Sequence, residues 1–259
     1  RLFIVVCMRA ITTPQPLARS RLITSYSSPS PFRAIANPFV DIVVPVLNEE
    51  KILQSSIETL DEYMMENLPY QITIADNGSQ DNTLKIAKSL AQNHKSVRVV
   101  RLAERGRGRA LKQVWQSSQA DVLTYMDVDL STSLDDFLPM IQPLVAGEAG
   151  VAIGSRLMKK SKTSRGFKRE FISRCYNKII KLTSRTKFSD AQCGFKAIRR
   201  DVAKRFLPKI KDNEWFFDTE LLIKTERAGV PIHEQPVTWI EDTDSRVKIV
   251  KTAVDDSSS

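Results

Sequence analysis

From residue 39 onward the chain alternates between two rhythms, short continuous apolar runs of strand length and apolar stripes at helical spacing. Residues 41–46 (DIVVPV) form the first run. Asn48, followed by Glu49 and Glu50, then predicts a helix start, with a capping side chain and acids in the first turn. Leu53, Ile57, Leu60 and Met64 recur at helical spacing, a stripe that must pack on a sheet. A second run, 71–76 (QITIAD), ends in the turn Asn77-Gly78-Ser79. Asp81 stands where it can cap the next helix, whose apolar face is Leu84, Ala87 and Leu90. A third run, 97–102, leads through the Gly106-Arg107-Gly108 loop to a helix carrying Leu111, Val114 and Trp115. The fourth, 121–127, ends on Asp127. Ser133 and Asp136 predict a capping box for a helix to Ala146, and 151–154 reads as a further strand. Such alternation with short connections predicts an α/β fold with a parallel sheet, whose ligands gather outside the carboxyl ends of the strands. Asn48, Asp76, Arg107 and Asp127 would then share one rim.

Composition changes this picture mainly at the start of the chain. Residues 1–40 hold five arginines and no Asp or Glu, so the formal charge of +9 leaves +4 for the rest. That stretch is rich in Ser, Thr and Pro without periodicity, and residues 1–38 read as a disordered basic leader or a targeting segment. Residues 39–256 then form the folded domain. The longest apolar run near either end, 2–8, is seven residues, far short of the 18 or so needed to span a bilayer. Cys7, Cys175 and Cys193 make no CxxC pair and an odd count, which suits a reducing compartment. His94 and His233 show no metal-ligand spacing and read as structural.

Three stretches carry candidate chemistry. Asp127 and Asp129, separated only by Val128, would point the same way from an extended chain and could hold a hard divalent cation, Mg2+ or Mn2+, between them. The same pair also suits a strand end and turn. The loop with Arg105, Arg107 and Arg109 matches phosphate oxygens by its guanidinium forks, or is a solvated basic turn; it fails as a dinucleotide fingerprint because Leu111 replaces the third Gly or Ala. Between residues 156 and 187 stand twelve Lys or Arg against one acid, Glu170. This basic segment has few interleaved aromatics and no nucleic-acid motif, so no nucleic-acid partner is expected.

Seven motifs in register resemble one family: VVPVLNEE (43–50), IADNGSQDNT (74–83), GRGRALK (106–112), YMDVDLST (125–132), IGSR (153–156), DAQCGFKAIRRDVA (190–203) and FFDTELL (216–222). Together they resemble the family-two glycosyltransferases that make polyprenyl-phosphate sugars, the dolichyl-phosphate glucose and mannose synthase group. The resemblance implies a GT-A type, Rossmann-like, mostly parallel sheet flanked by helices. It implies an inverting hexosyltransferase that uses a nucleotide-sugar donor, UDP-glucose first and GDP-mannose second, with a polyprenyl or dolichyl phosphate as acceptor. Pro45, Glu49 and Asp76 match its nucleotide contacts, with Arg107 where the family usually has lysine. Asp127 and Asp129 match its metal-gripping DxD, Mg2+ or Mn2+ being the expected cofactor. Asn77 departs from the family's second acid at that turn. Arg156, Arg169 and Ser173 match the residues expected on the acceptor phosphate, and Arg246, in Ser245-Arg246-Val247, is expected to close over the diphosphate. Asp190 and Glu220 lie in matched motifs and are expected to orient the acceptor-side arginines and sugar hydroxyls, or to be structural ion pairs.

Lys159, Lys160 and Lys162 would favour an anionic membrane surface, each by about 1 kcal/mol. The expected setting is therefore peripheral, on the cytoplasmic side of a membrane, with a transmembrane domain on a separate or missing segment. A processive polysaccharide synthase would share the first half, but its QxxRW motif is absent. A glycosyltransferase of another membrane or glycan acceptor, and a non-catalytic scaffold of the same fold, are the remaining alternatives.

Overall fold

A computed structural model describes residues 32–164 and 167–240, with backbone only for 167–169. The expected rhythm is present: β1 (Val40–Val46), α1 (Leu53–Met65), β2 (Tyr70–Asp76), α2 (Thr83–Asn93), β3 (Val97–Arg101), α3 (Arg107–Ser117), β4 (Val122–Met126), α4 (Phe137–Val145) and β5 (Val151–Ser155). There follow β6 (Lys162–Ser164), α5 (Phe167–Ser184), β7 (Phe195–Arg199), α6 (Arg200–Phe206), α7 (Phe217–Arg227), β8 (Ile232–Pro236) and β9 (Thr238–Ile240). Seven strands form one sheet in the order β3-β2-β1-β4-β7-β5-β8, while β6 and β9 pair separately.

The apolar runs explain the layering. β4 is buried along its whole length, as a strand covered on both faces must be. On one face lie the α1 stripe Leu53, Ile57, Leu60 and Met64, with Leu90 of α2 and Phe137, Met140 and Leu144 of α4. The other face takes Leu111, Val114 and Trp115 of α3, Val202 and Phe206 of α6, and Leu221 and Leu222 of α7. The chain leaves β3 at one edge and re-enters on the far side of β1 as β4, so the strand order reverses between β1 and β4. A crevice opens at the carboxyl ends of strands at such a point.

The strand β7 is reversed. It runs antiparallel between β4 and β5, with Tyr125 opposite Lys196 and Met126 opposite Phe195. Its beginning therefore meets the end of β4, which delivers residues 190–194 to the rim where Asp127 emerges. Arg156, just past β5, and Trp239, just past β8, reach the same rim because those two strands run parallel to each other.

Local starts differ from the sequence expectation in three places. Asn48 does not cap α1: it adopts φ +57°, its amide donates to Ser79 Oγ, and its side-chain oxygen accepts from Gln80 N at 2.8 Å. It ties the β1 loop to the β2 loop, and the helix begins at Leu53 after a turn on the Glu49 carbonyl. Ser133 and Asp136 form no reciprocal box: Ser133 Oγ accepts from Asp135 N, whereas Asp136 accepts from Thr238 N at 2.7 Å. Residues 32–38, which the sequence placed with the leader, pack on the domain: Ile35 N donates to Val145 O at 2.8 Å and the Phe32 ring lies 5.0 Å from the Arg199 guanidinium. Residues 1–31 and Arg246 lie outside the described residues.

Candidate active site

β4 ends at Met126, so Asp127 and Asp129 sit on a turn and not on an extended strand face. The Asp127 amide donates to the Gly194 carbonyl at 3.2 Å, Leu130 turns the chain at φ +49°, and Asp129 Oδ1 accepts from Ser131 N at 3.1 Å. The turn still brings both carboxylates to a small cavity of ≈ 10 Å³ that is also lined by Met126, Ser131, Gly194 and Trp239. Gly194 presses on the first carboxylate: a Cβ there would lie 1.8 Å from Asp127 Oδ2. Desolvation pushes the Asp127 carboxyl above the usual range; Arg107 opposes this and Asp129 adds to it. Almost half of that side chain (47%) still reaches solvent, which limits the effect.

On the donor side, Asp76 ends β2 with no exposure; its Oδ1 accepts from Ser79 N at 3.1 Å, and its buried Oδ2 has no hydrogen-bond donor. Arg101 Nε stands 3.7 Å from that oxygen. Such an orphaned carboxylate oxygen suits a base N–H. Pro45 lies in β1 opposite Ala75, and Glu49 donates its amide to Thr83 Oγ1 at 2.8 Å. Asn77, where an acid is usual in the family the motifs resemble, accepts from Gly106 N through its side-chain oxygen at 2.9 Å and so holds the Gly-Arg-Gly loop. From that loop Arg107 reaches Asp127 Oδ1 at 2.7 Å, with its guanidinium over the rings of Tyr125 (5.3 Å) and Trp215 (4.8 Å). Burial disfavours its charge, but Asp127, Tyr125 and Asp218 together more than compensate and raise its proton affinity.

The acceptor-side expectations converge on Arg156 and Asp190. Asp190, with no exposure, accepts from Arg156 N, Nε and Nη2 at 3.2, 2.8 and 3.0 Å. Burial alone would raise this carboxyl; the Arg156 charge and its hydrogen bonds hold it below the usual range. Ser173, on α5, is buried with its hydroxyl unpartnered, and one turn on Asn177 accepts from Ala191 N at 2.8 Å, next to Asp190. The position of the Arg169 side chain lies outside the described residues. Glu220 stands apart from this group: its carboxylate accepts from Lys211 N (3.0 Å), Asp212 N (2.9 Å) and Lys224 Nζ (2.6 Å). It braces the loop that carries Asn213 and Trp215, and its partners among the described residues do not include Arg156. Burial pushes the Cys193 thiol up to about 11, so it stays protonated and inert.

Two features escaped the sequence. Trp239 lines the carboxylate cavity and lies 5.8 Å from the Arg156 guanidinium, so a single ring touches both halves of the site. Beneath it, Lys196 is buried among Tyr125, Cys193 and Asp218. A lysine in the middle of the apolar run FKAIR was the available signal. Among the described residues no three His, Cys, Asp or Glu gather as a cage. Two carboxylates fit Mg2+ or Mn2+, ions that complete their shell from water and substrate phosphates.

An α/β sheet with a carboxylate pair, an arginine loop and a buried acid at the strand-order reversal is the architecture of a GT-A glycosyltransferase. Solved structures agree on the fold: glucosyl-3-phosphoglycerate synthase from Mycobacterium tuberculosis, crystallised with Mn2+ and uridine-diphosphate-glucose, superimposes with a TM-score of 0.63 at 18% identity over 84% of this chain and 76% of its own. The chain belongs to glycosyl transferase family 2, whose family model matches residues 41–207. Glycosyltransferase AglD of Haloferax volcanii is 33% identical over 82% of the chain, which spans only 35% of that relative's length. A dolichyl-phosphate beta-glucosyltransferase of Drosophila melanogaster is 30% identical over 80% of the chain and 69% of its own length.

Proposed function

We propose that this glycosyltransferase moves glucose, with inversion, from UDP-glucose to a polyprenyl phosphate of the dolichyl type. The observation that carries the reading is the meeting of two arginine–carboxylate units, Arg107–Asp127 and Arg156–Asp190, at Trp239. Such a site suits one anionic phosphate leaving while another arrives. The names of the relatives favour glucose and dolichyl phosphate.

A phosphate monoester has its second pKa near ~6, so the acceptor is already an anion near neutral pH and needs no general base. Arg156, fixed by a fork on Asp190, holds that phosphate in line with the anomeric carbon, and the Ser173 hydroxyl donates to it. The acceptor oxygen forms the new bond to the anomeric carbon as the bond to the nucleoside diphosphate breaks, and the diphosphate leaves with the electron pair. Arg107 follows that charge from the loop side. When bound, Mg2+ or Mn2+ on Asp127 and Asp129 supplies further neutralisation of the departing diphosphate.

Helix α5 supports membrane access to the acceptor. Phe171, Ile179 and Leu182 recur along one exposed stripe, with Cys175 between them and Ile172 beside it, and Arg174, Lys178 and Lys181 lie on the same helix. A lipid surface suits such a face. Among the described residues no helix is long and apolar enough to cross a membrane. The test is incubation with polyprenyl phosphate, Mg2+ or Mn2+ and a panel of labelled sugar nucleotides, counting label in the organic phase. Transfer from UDP-glucose is expected; folded protein that transfers no sugar would remove the proposal.

A further inference from the structure

Among the described residues Lys196 is the most deeply buried cation close to the carboxylate cavity, only 2% exposed, and the proposed mechanism gives it no task. The β4–β7 register sets it opposite Tyr125, two residues before Asp127. Its ammonium donates to Tyr125 Oη at 3.0 Å and to the Cys193 carbonyl, and lies 3.6 Å from Asp218 Oδ1; the Tyr125 hydroxyl in turn donates to Asp218 at 2.6 Å. The ammonium thus closes the turn at Cys193-Gly194 from below. Gly194 is the residue that presses on Asp127 and accepts its amide hydrogen bond. The Tyr125 ring also carries the Arg107 guanidinium on its face.

We propose that Lys196, locked by Tyr125 and Asp218, is a positioning residue that sets the Asp127 carboxylate for a divalent ion by bracing the Cys193-Gly194 turn against it. The inference rests on the reading that Asp127 and Asp129 hold that ion. A buried ammonium used only for its charge would repel a divalent cation, so removing it would tighten binding. One used to hold the turn in place would, on removal, loosen the ligand and weaken binding. The two roles differ in sign.

The test is Mn2+ titration of the purified protein without substrates, read by electron paramagnetic resonance, for wild type, Lys196→Met and Tyr125→Phe. Lys196→Met keeps the length of the side chain and loses its charge and hydrogen bonds; Tyr125→Phe keeps the ring and the strand packing and loses only the hydroxyl lock. Weakening by about 10- to 100-fold is expected for Lys196→Met, the range for losing a group that orients a metal ligand, and a smaller weakening in the same direction for Tyr125→Phe. Should Lys196→Met fail to fold, Tyr125→Phe decides alone. Unchanged or tighter Mn2+ binding in the folded variants overturns the positioning role while leaving the metal reading intact. Wild-type protein that binds Mn2+ no better than Asp129→Ala overturns the metal reading, and this inference with it.

Discussion

The closest approach around the candidate metal ligands makes Gly194→Ala the most demanding test of the site. Gly194 lies outside the left-handed region, so alanine meets no backbone strain of its own. Its Cβ would fall 1.8 Å from Asp127 Oδ2, 2.4 Å from Cγ and 2.7 Å from Oδ1. Ordinary contact begins near 3.4 Å, so something must move by about 1.6 Å. The β7 backbone cannot supply that shift cheaply, because Gly194 O receives the Asp127 amide and the next residue is already paired to Met126. The carboxylate must swing away instead. An off-rotamer χ costs about 0.5–1.5 kcal/mol, and the Arg107 hydrogen bond adds about 1 kcal/mol after discounting for the exposed side of Asp127. The fold should therefore lose about 1.5–2.5 kcal/mol, or roughly 3–10 °C in Tm. Turnover should fall much further, by at least about 100-fold, since a displacement of 1 Å in a reacting constellation costs about that much. Thermal melting and the organic-phase transfer assay measure the two separately. A Gly194→Ala protein that melts near wild type yet keeps more than about a third of its turnover would refute the placement of Asp127 in the chemistry.

Other outcomes follow from the proposed roles and from the fold. Asp129→Ala should abolish metal-stimulated use of the sugar nucleotide, whereas Arg169→Ala should chiefly raise KM for the lipid phosphate; steady-state kinetics in both substrates separates them. Asp41 is fully buried at the opposite end of the sheet and accepts from Thr73 Oγ1 (2.7 Å), Ser118 Oγ (2.6 Å) and Arg98 Nη2 (2.8 Å). Asp41→Ala should cost about 2–4 kcal/mol in urea unfolding without changing kcat of the folded fraction. Burial and the Asp61 hydrogen bond at 2.6 Å push the Tyr70 phenol up to about 12. Its folded value exceeds the unfolded value of about 10, so its contribution is complete below pH ~10 and lost as pH rises toward about 12. Tyr70→Phe should remove that part of the alkaline loss in stability-versus-pH curves.

The layers of this fold were legible because apolar periodicity reports burial directly. Leu53, Ile57, Leu60 and Met64 are all fully buried on one side of the sheet, as their spacing requires. Helix starts were not legible in the same way. Asn48 and Asp136 have cap-forming side chains, but each found a better acceptor role across the chain, Asn48 on Gln80 and Asp136 on Thr238. Local propensity ranks the options open to a residue, and long-range partners decide among them. The reversed β7 was hidden for a different reason: the period of a strand says which face is buried and nothing about its direction.

Direction is what joins the two halves of the site. A parallel β7 would have placed residues 190–194 at the far end of the sheet, and Asp190 could not have met Arg156 beside Asp127. Reversal makes one short segment serve both sides: Asp190 fixes Arg156, and Gly194, four residues later, seats Asp127. The DxD spacing alone fitted a turn more readily than a metal pair, and a turn is its local structure. Its proposed chemistry rests on the segment before β7 that closes under it and on the arginine that leans over it. Arg107 also shows why the family's usual lysine at this loop is not equivalent here. A guanidinium can stand over the Tyr125 and Trp215 rings while one arm of its fork holds Asp127, whereas an ammonium is a point charge with no planar fork.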